Sequence, residues 1–136
     1  MRYSLTLFKN LFDNKTHKRM DFNSWAEMED LLYQLSQKPT ESKASSSLIS
    51  PAIYNKGGKR NNDSVLLWTW AALDVDDHKI ESSVLKEELY KRFGHYYYVC
   101  YSTASSRIDY PKFRLVFPLE YPVYAKNIRH FWFALN

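Results

Sequence analysis

Asp74 and Asp76 stand two residues apart at the end of an apolar run, Trp68-Thr69-Trp70-Ala71-Ala72-Leu73-Asp74-Val75-Asp76-Asp77-His78. Side chains alternate faces along a strand, so the two carboxylates point the same way while Leu73 and Val75 point behind them. About 7 Å then separates the acids, which repel, and each is costly if buried unpaired. A divalent cation between them is one solution, because hard cations take carboxylate oxygen. Solvent exposure is the other, since Asp-rich strand ends are common turn chemistry. Further on, the hydroxyl-rich stretch Ser102-Thr103-Ala104-Ser105-Ser106-Arg107 precedes Pro111-Lys112-Phe113-Arg114-Leu115-Val116-Phe117-Pro118-Leu119. A charge in mid-strand beside a core is expensive unless it is paired or faces a site, which singles out Arg114. Acids for metal, hydroxyls for hydrogen bonds and cations for phosphate together suit phosphoryl or nucleotidyl transfer. Positioning and charge neutralisation are most of that catalysis.

A second candidate group is basic. Lys56-Gly57-Gly58-Lys59-Arg60-Asn61-Asn62 sets three cations around two glycines. It reads either as a solvated hairpin tip or as a loop contacting phosphate, and it lacks the Gly-Lys-Ser/Thr ending of a Walker loop. Other chemistries fare worse. Ser102, Ser105 and Ser106 have no flanking glycines for a strained nucleophile turn. His17, His78, His95 and His130 show no ligand spacing, and His78 beside the acids reads as a turn histidine before a third ligand. No His-apolar-His pair accompanies a tyrosine nucleophile.

These groups need elements to position them. Tyr3-Ser4-Leu5-Thr6-Leu7-Phe8 alternates as a strand, and residues 9–21 read as a polar, basic loop. Ser24-Trp25-Ala26-Glu27 is a capping box ahead of the stripe Trp25, Met28, Leu31, Leu32 and Leu35, a helix that Pro39 ends. Residues 36–64 form a basic, weakly structured region, interrupted by a short extended piece from Leu48 to Tyr54. Residues 65–76 are a strand. Ser82-Ser83 can cap a helix through Arg92 that buries Leu85, Leu89 and Phe93 and stops at Gly94. Residues 96–102 are the next strand, so a βαβ unit with two parallel strands is expected. Phe113, Leu115 and Phe117 share one face of the following strand, with Lys112, Arg114 and Val116 on the other. Residues 124–136 read as a final helix. The fold class is α/β (α+β), a mixed sheet around a central βαβ unit. In such a sheet ligands gather at strand carboxyl ends, where Asp74, Asp76 and residues 102–106 would meet.

Composition agrees with one globular domain: 136 residues, 45% hydrophobic and 25% charged. Net charge is +4 and the pI about 9.1, which permits a polyanionic partner without demanding one. Cys100 is the only cysteine, which excludes an intramolecular disulfide framework and suits a reducing cytoplasm. No run approaches membrane-spanning length and the N-terminus lacks a signal-peptide core, so no membrane partner is expected.

Leu73-Asp74-Val75-Asp76-Asp77, then Tyr101-Ser102-Thr103-Ala104-Ser105-Ser106, then Pro111 to Leu119, in that order, resemble the archaeo-eukaryotic primase superfamily. The nearest flavour is the primase-polymerase domain of phage and plasmid replication proteins, and the resemblance runs from about residue 45 onward. It implies an RRM-like primase core with helices packed on the sheet. It further implies a metal-dependent DNA primase or polymerase using single-stranded DNA template, nucleoside triphosphates and Mg²⁺ or Mn²⁺. A replicative helicase, fused or associated, is the implied partner, and the cytoplasm, the host's if viral, is the implied compartment. By position Asp74 and Asp76 match the metal-binding catalytic acids. Ser105 or Ser106 stands where the family usually has a nucleotide-binding histidine, so the triphosphate contact passes to Arg107, Lys112 or Arg114. The family's third acid is not found and would fall beyond Asn136, which reads the chain either as a single domain of this kind or as the N-terminal part of one, a truncated fragment inactive alone. Two functions follow. One is a nucleotidyltransferase with metal at Asp74 and Asp76 and nucleotide at Ser105, Ser106, Lys112 and Arg114. The other is a non-catalytic nucleic-acid-binding module using Lys56, Lys59, Arg60, Arg107 and exposed tyrosines.

Overall fold

The computed structural model describes residues 2–38, 46–103 and 106–135. Strand β1 (Tyr3–Phe8) pairs antiparallel with β2 (Arg19–Phe22) on one side and β3 (Leu48–Ser50) on the other. Pro51 follows β3, and the chain continues at once as β4 (Ala52–Tyr54), which pairs instead with β5 (Val65–Val75). One extended segment thus serves two sheets, turning at a residue that has no N–H to give to either ladder. β2 corrects the expectation of a loop through residue 21. Only its last residue, Phe22, is buried, so it carries no alternation to read.

Helix α1 (Trp25–Ser36) begins where the capping box sets it. The Ser24 hydroxyl accepts the Glu27 N–H at 3.3 Å, and the Glu27 carboxylate accepts the Asn23 N–H at 2.9 Å. Met28 and Leu32 bury its apolar stripe, and Pro39 lies outside the described residues.

Helix α2 (Leu85–Phe93) follows a short 3₁₀ turn at Ser82–Val84. Val84, not a serine, stands at its cap, and no side chain closes it. Gly94 ends the helix through close approach: a Cβ there would stand 2.4 Å from the Tyr90 carbonyl oxygen. Strand β6 (Val99–Ser102) is shorter than expected, leaving Tyr96 and Tyr97 exposed ahead of it. Strand β7 (Phe113–Tyr124) and helix α3 (Ala125–Leu135) complete the described chain.

The second sheet has order β4-β5-β7-β6, and every neighbouring pair is antiparallel. The α+β class holds, and β5 and β6 run the same way, both being antiparallel to β7. The two strands thus lie parallel in one sheet, as expected, with β7 returning from β6 to insert between them. The result is a split βαβ unit, β5-α2-β6 with β7 between its strands, flanked by β4, which precedes β5 in the chain. β5 and β7 slip register between Trp68 and Trp70, opposite the stretch from Pro118 to Val123.

One core cluster joins Leu5, Phe22, Met28 and Leu32 to Trp70 and Val116, so β1 and α1 cover part of one face of the second sheet. The opposite face carries Phe113 and Leu115, packed with Leu89 of α2. Phe117 packs there too, so the expected alternation of β7 is observed. The two sheets also share buried polar links through β1. The Ser4 N–H donates to Thr69 Oγ1 at 2.9 Å, Trp70 Nε1–H to the Ser4 carbonyl at 2.7 Å, and Thr6 Oγ1–H to the Ala52 carbonyl at 2.8 Å.

Asp21 ties β2 to β1 and gives the fold a defined acid sensitivity. The Ser4 hydroxyl donates to its carboxylate at 2.5 Å and, against the cost of desolvation, holds its pKa below the usual range; Arg19 adds to this at 2.8 Å. A depressed carboxylate stabilises the fold in full above its unfolded value of about 3.9 and loses that stabilisation as pH falls through the lower folded value. Urea midpoints measured from neutral pH down through this window should therefore fall less steeply for Asp21→Asn than for the unsubstituted chain. Parallel curves would mean that Asp21 is not responsible.

Candidate functional site at the end of β5

Asp74 lies opposite Arg114 in the β5–β7 ladder, and Arg114 lies opposite Tyr101 in the β7–β6 ladder. Three strands thus bring three polar side chains into one row, on the face whose other end α1 and β1 cover. Arg114 Nε donates to Asp74 Oδ1 at 2.5 Å and Nη2 to Oδ2 at 3.2 Å, a two-pronged pair. Its Nη1 donates to the Tyr101 hydroxyl at 3.1 Å, with the guanidinium carbon 5.9 Å from the Tyr101 ring centroid. Burial opposes the charge on Arg114, but the bonds to Asp74 and Tyr101 outweigh it and hold the guanidinium more firmly protonated than usual. Burial likewise raises the pKa of the Tyr101 phenol, against the nearby guanidinium. The Asp74 side chain is 50% exposed and that of Arg114 26%, so the pair sits at a rim that water reaches.

Asp76 and Asp77, beyond the strand end, are exposed. His78 is not free to ligate. Its Nδ1 accepts the Ile80 N–H at 3.2 Å, its Nε2 lies 2.5 Å from the Pro111 carbonyl oxygen, and its ring stacks on Tyr110 at 4.9 Å. Tyr110 Oη also donates to the His78 carbonyl at 2.8 Å and accepts the His78 N–H at 2.9 Å. This latch fastens the segment after Asp76 to the loop before β7. Among the described residues no group of three His, Cys, Asp or Glu side chains gathers as a metal site.

The loop from β6 to β7 closes on itself. Ser106 Oγ accepts the Lys112 N–H at 2.9 Å, and the Lys112 carbonyl accepts the Thr103 N–H at 3.0 Å. Ser106 thus helps fold the loop, Lys112 is half-buried two residues before Arg114, and Ser105 lies outside the described residues. Arg107 pairs with Asp109 at 3.2 Å, both well exposed.

Lys56, Lys59 and Arg60 do not join this row. They belong to the loop that enters β5, whereas Asp74 is at its exit, roughly 30 Å away at the rise of an extended strand. Arg60 has a packing role: Nη1 donates to the carbonyls of Leu11 at 3.1 Å and Asp13 at 3.2 Å, and the guanidinium lies 4.6 Å over the Phe8 ring. Tyr101 is the site residue that the sequence reading leaves out. It lies within the Tyr101-to-Ser106 motif, but only the ladder shows which side chain it touches.

No family model matches the chain, and no curated protein or solved structure matches it either.

Proposed function

We propose that this chain is a primase-polymerase-type nucleotidyltransferase domain of a phage or plasmid replication protein. In this reading it acts on single-stranded DNA template and nucleoside triphosphates. The observation that carries the reading is the cross-strand row of Asp74, Arg114 and Tyr101 at the open end of the split βαβ sheet. An arginine fork suits phosphate oxygens as well as it suits a carboxylate. An arriving triphosphate therefore competes with Asp74 for Arg114, and Lys112 adds a second cation nearby. Once released, Asp74 offers two hard oxygens beside the exposed Asp76, a donor set that fits Mg²⁺ or Mn²⁺, which bind through one or two carboxylates plus substrate phosphates. The bound metal would supply charge neutralisation and an activated 3′-hydroxyl. The reading brings with it a replicative helicase, fused or associated, and a cytoplasmic setting. No helix among the described residues is long and apolar enough to cross a membrane.

A second reading, a nucleic-acid-binding module without chemistry, is favoured by one fact. Both Asp74 oxygens are already held by Arg114. Electron paramagnetic resonance of free Mn²⁺ separates the two. With a non-hydrolysable nucleoside triphosphate present, the chain should take up Mn²⁺ beyond what the triphosphate alone binds, and Asp74→Asn/Asp76→Asn should weaken that extra uptake at least ~10-fold, the effect expected on losing charged ligands. Equal uptake by both proteins would leave only the binding module.

A further inference from the structure

At the entry end of β5, far from Asp74, two loops close against each other. In the turn Asn55-Lys56-Gly57-Gly58 the Gly58 N–H donates to the Asn55 carbonyl at 2.8 Å, and Gly57 takes a left-handed φ of 76°. A Cβ on Gly58 would stand 2.8 Å from Ser64 Cβ, so glycine lets the turn lie flat against the residues that lead into β5. The loop between β1 and β2 fastens onto this turn. Thr16 Oγ1–H donates to the Gly58 carbonyl at 2.5 Å, the Arg60 N–H donates to the Asn14 carbonyl at 3.2 Å, and Lys15 and Lys59 face each other as an antiparallel bridge.

Between the loops lies an open groove of about 720 Å³. Lys15, His17 and Arg19 line it from one loop, Lys56 and Lys59 from the other, and no carboxylate lines it. Among the described residues Lys15, Lys56 and Lys59 have no ion pair, while Arg19 gives its Nε to Asp21. Asp13, whose carboxylate feels the charges of Lys15 and Lys18, offsets part of the repulsion between the two facing lysines, and a bound polyanion would relieve the rest. Phe12, on the β1–β2 loop two residues before Asn14 of the groove lining, is 80% exposed and its neighbour Leu11 45%.

We propose that this groove binds the backbone of single-stranded nucleic acid, with Phe12 as a stacking ring. The cations are strung along two loops rather than converging on one point, which suits successive phosphates better than a lone anion. Cations that track a backbone beside an exposed aromatic ring are the pattern of single-strand binding. The groove stands apart from Asp74 and Arg114, so the inference does not depend on nucleotidyl transfer.

Fluorescence anisotropy of a labelled oligothymidylate, titrated across about 50 to 200 mM salt, tests it. Neutralising three phosphates through Lys15, Lys56 and Lys59, with Arg19 held by Asp21, gives a log–log salt slope of about −2.1, and Lys56→Ala/Lys59→Ala should cut it to about −0.7. Phe12→Ala should weaken binding ~5-fold or more with the slope unchanged. Lys86→Ala/Lys91→Ala on α2 removes the same charge elsewhere and should leave the slope alone. The oligonucleotide titration contains neither Mn²⁺ nor triphosphate, so failure at the Asp74 site is read separately from failure at the groove. Urea midpoints matching the unsubstituted chain confirm that each variant is folded. If the α2 pair lowers the slope as much as the groove pair, attraction is diffuse and the proposal falls. It falls equally if duplex DNA of the same length binds as tightly.

Discussion

Trp70→Ala is expected to cost the chain about 4–8 kcal/mol of stability, read as a large fall in the urea midpoint. The indole is 1% exposed in the cluster with Leu5, Met28 and Val116, where β1 and α1 meet the second sheet. Emptying such a site costs about 3–5 kcal/mol for a large aromatic. The substitution also strips the buried Ser4 carbonyl of its partner, adding about 1–3 kcal/mol. A domain of this size is stable by about 5–15 kcal/mol in total, so the loss removes roughly half of a typical stability. Trp70→Phe keeps most of the ring packing and loses the hydrogen bond, so it should remain folded with a lower urea midpoint. Far-ultraviolet circular dichroism during urea titration reads both variants. A Trp70→Ala midpoint close to that of the unsubstituted chain would mean that the two sheets are not joined through this residue.

Arg114→Met should move two affinities in opposite directions. Without triphosphate, Asp74 is released from its ion pair, and Mn²⁺ uptake should rise. Triphosphate binding should weaken by about 10- to 150-fold, the worth of charge-assisted hydrogen bonds of about 1.5–3 kcal/mol. Stability should change little, because half of the Asp74 side chain is exposed and rim ion pairs contribute about 0–1 kcal/mol. Isothermal titration with Mn²⁺ alone, then with a non-hydrolysable triphosphate, distinguishes the outcomes. If both affinities fall together, Arg114 only supports the strand end. If neither moves, it has no part in a nucleotide site.

The helix α1 cap, the alternation of β7 and the acids at the end of β5 could all be read from neighbouring residues. Each depends on local geometry: a cap on three successive residues, a strand face on every second one. β2 and the split of the extended piece at Pro51 could not. A strand of three or four residues, with at most two of them buried, has too little pattern to stand out from a loop. The serine cap expected for α2 failed for a related reason, since a 3₁₀ turn intervenes and moves the cap to Val84.

Around Asp74 the sequence by itself determined that an acid ends an apolar strand and that Arg114 sits mid-strand where a bare charge is costly. The insertion of β7 between β5 and β6 made the two partners and set Tyr101 on the far side of the guanidinium. Likewise, the basic residues at 15–19 and 56–60 are plain in the sequence, but some forty positions separate them. Only the bridge between Lys15 and Lys59 makes them one groove, and only the length of β5 keeps that groove away from Asp74. Alternation and capping are settled within a few bonds of the backbone. Strand partnership is a choice among distant segments, decided by which apolar faces can be buried together.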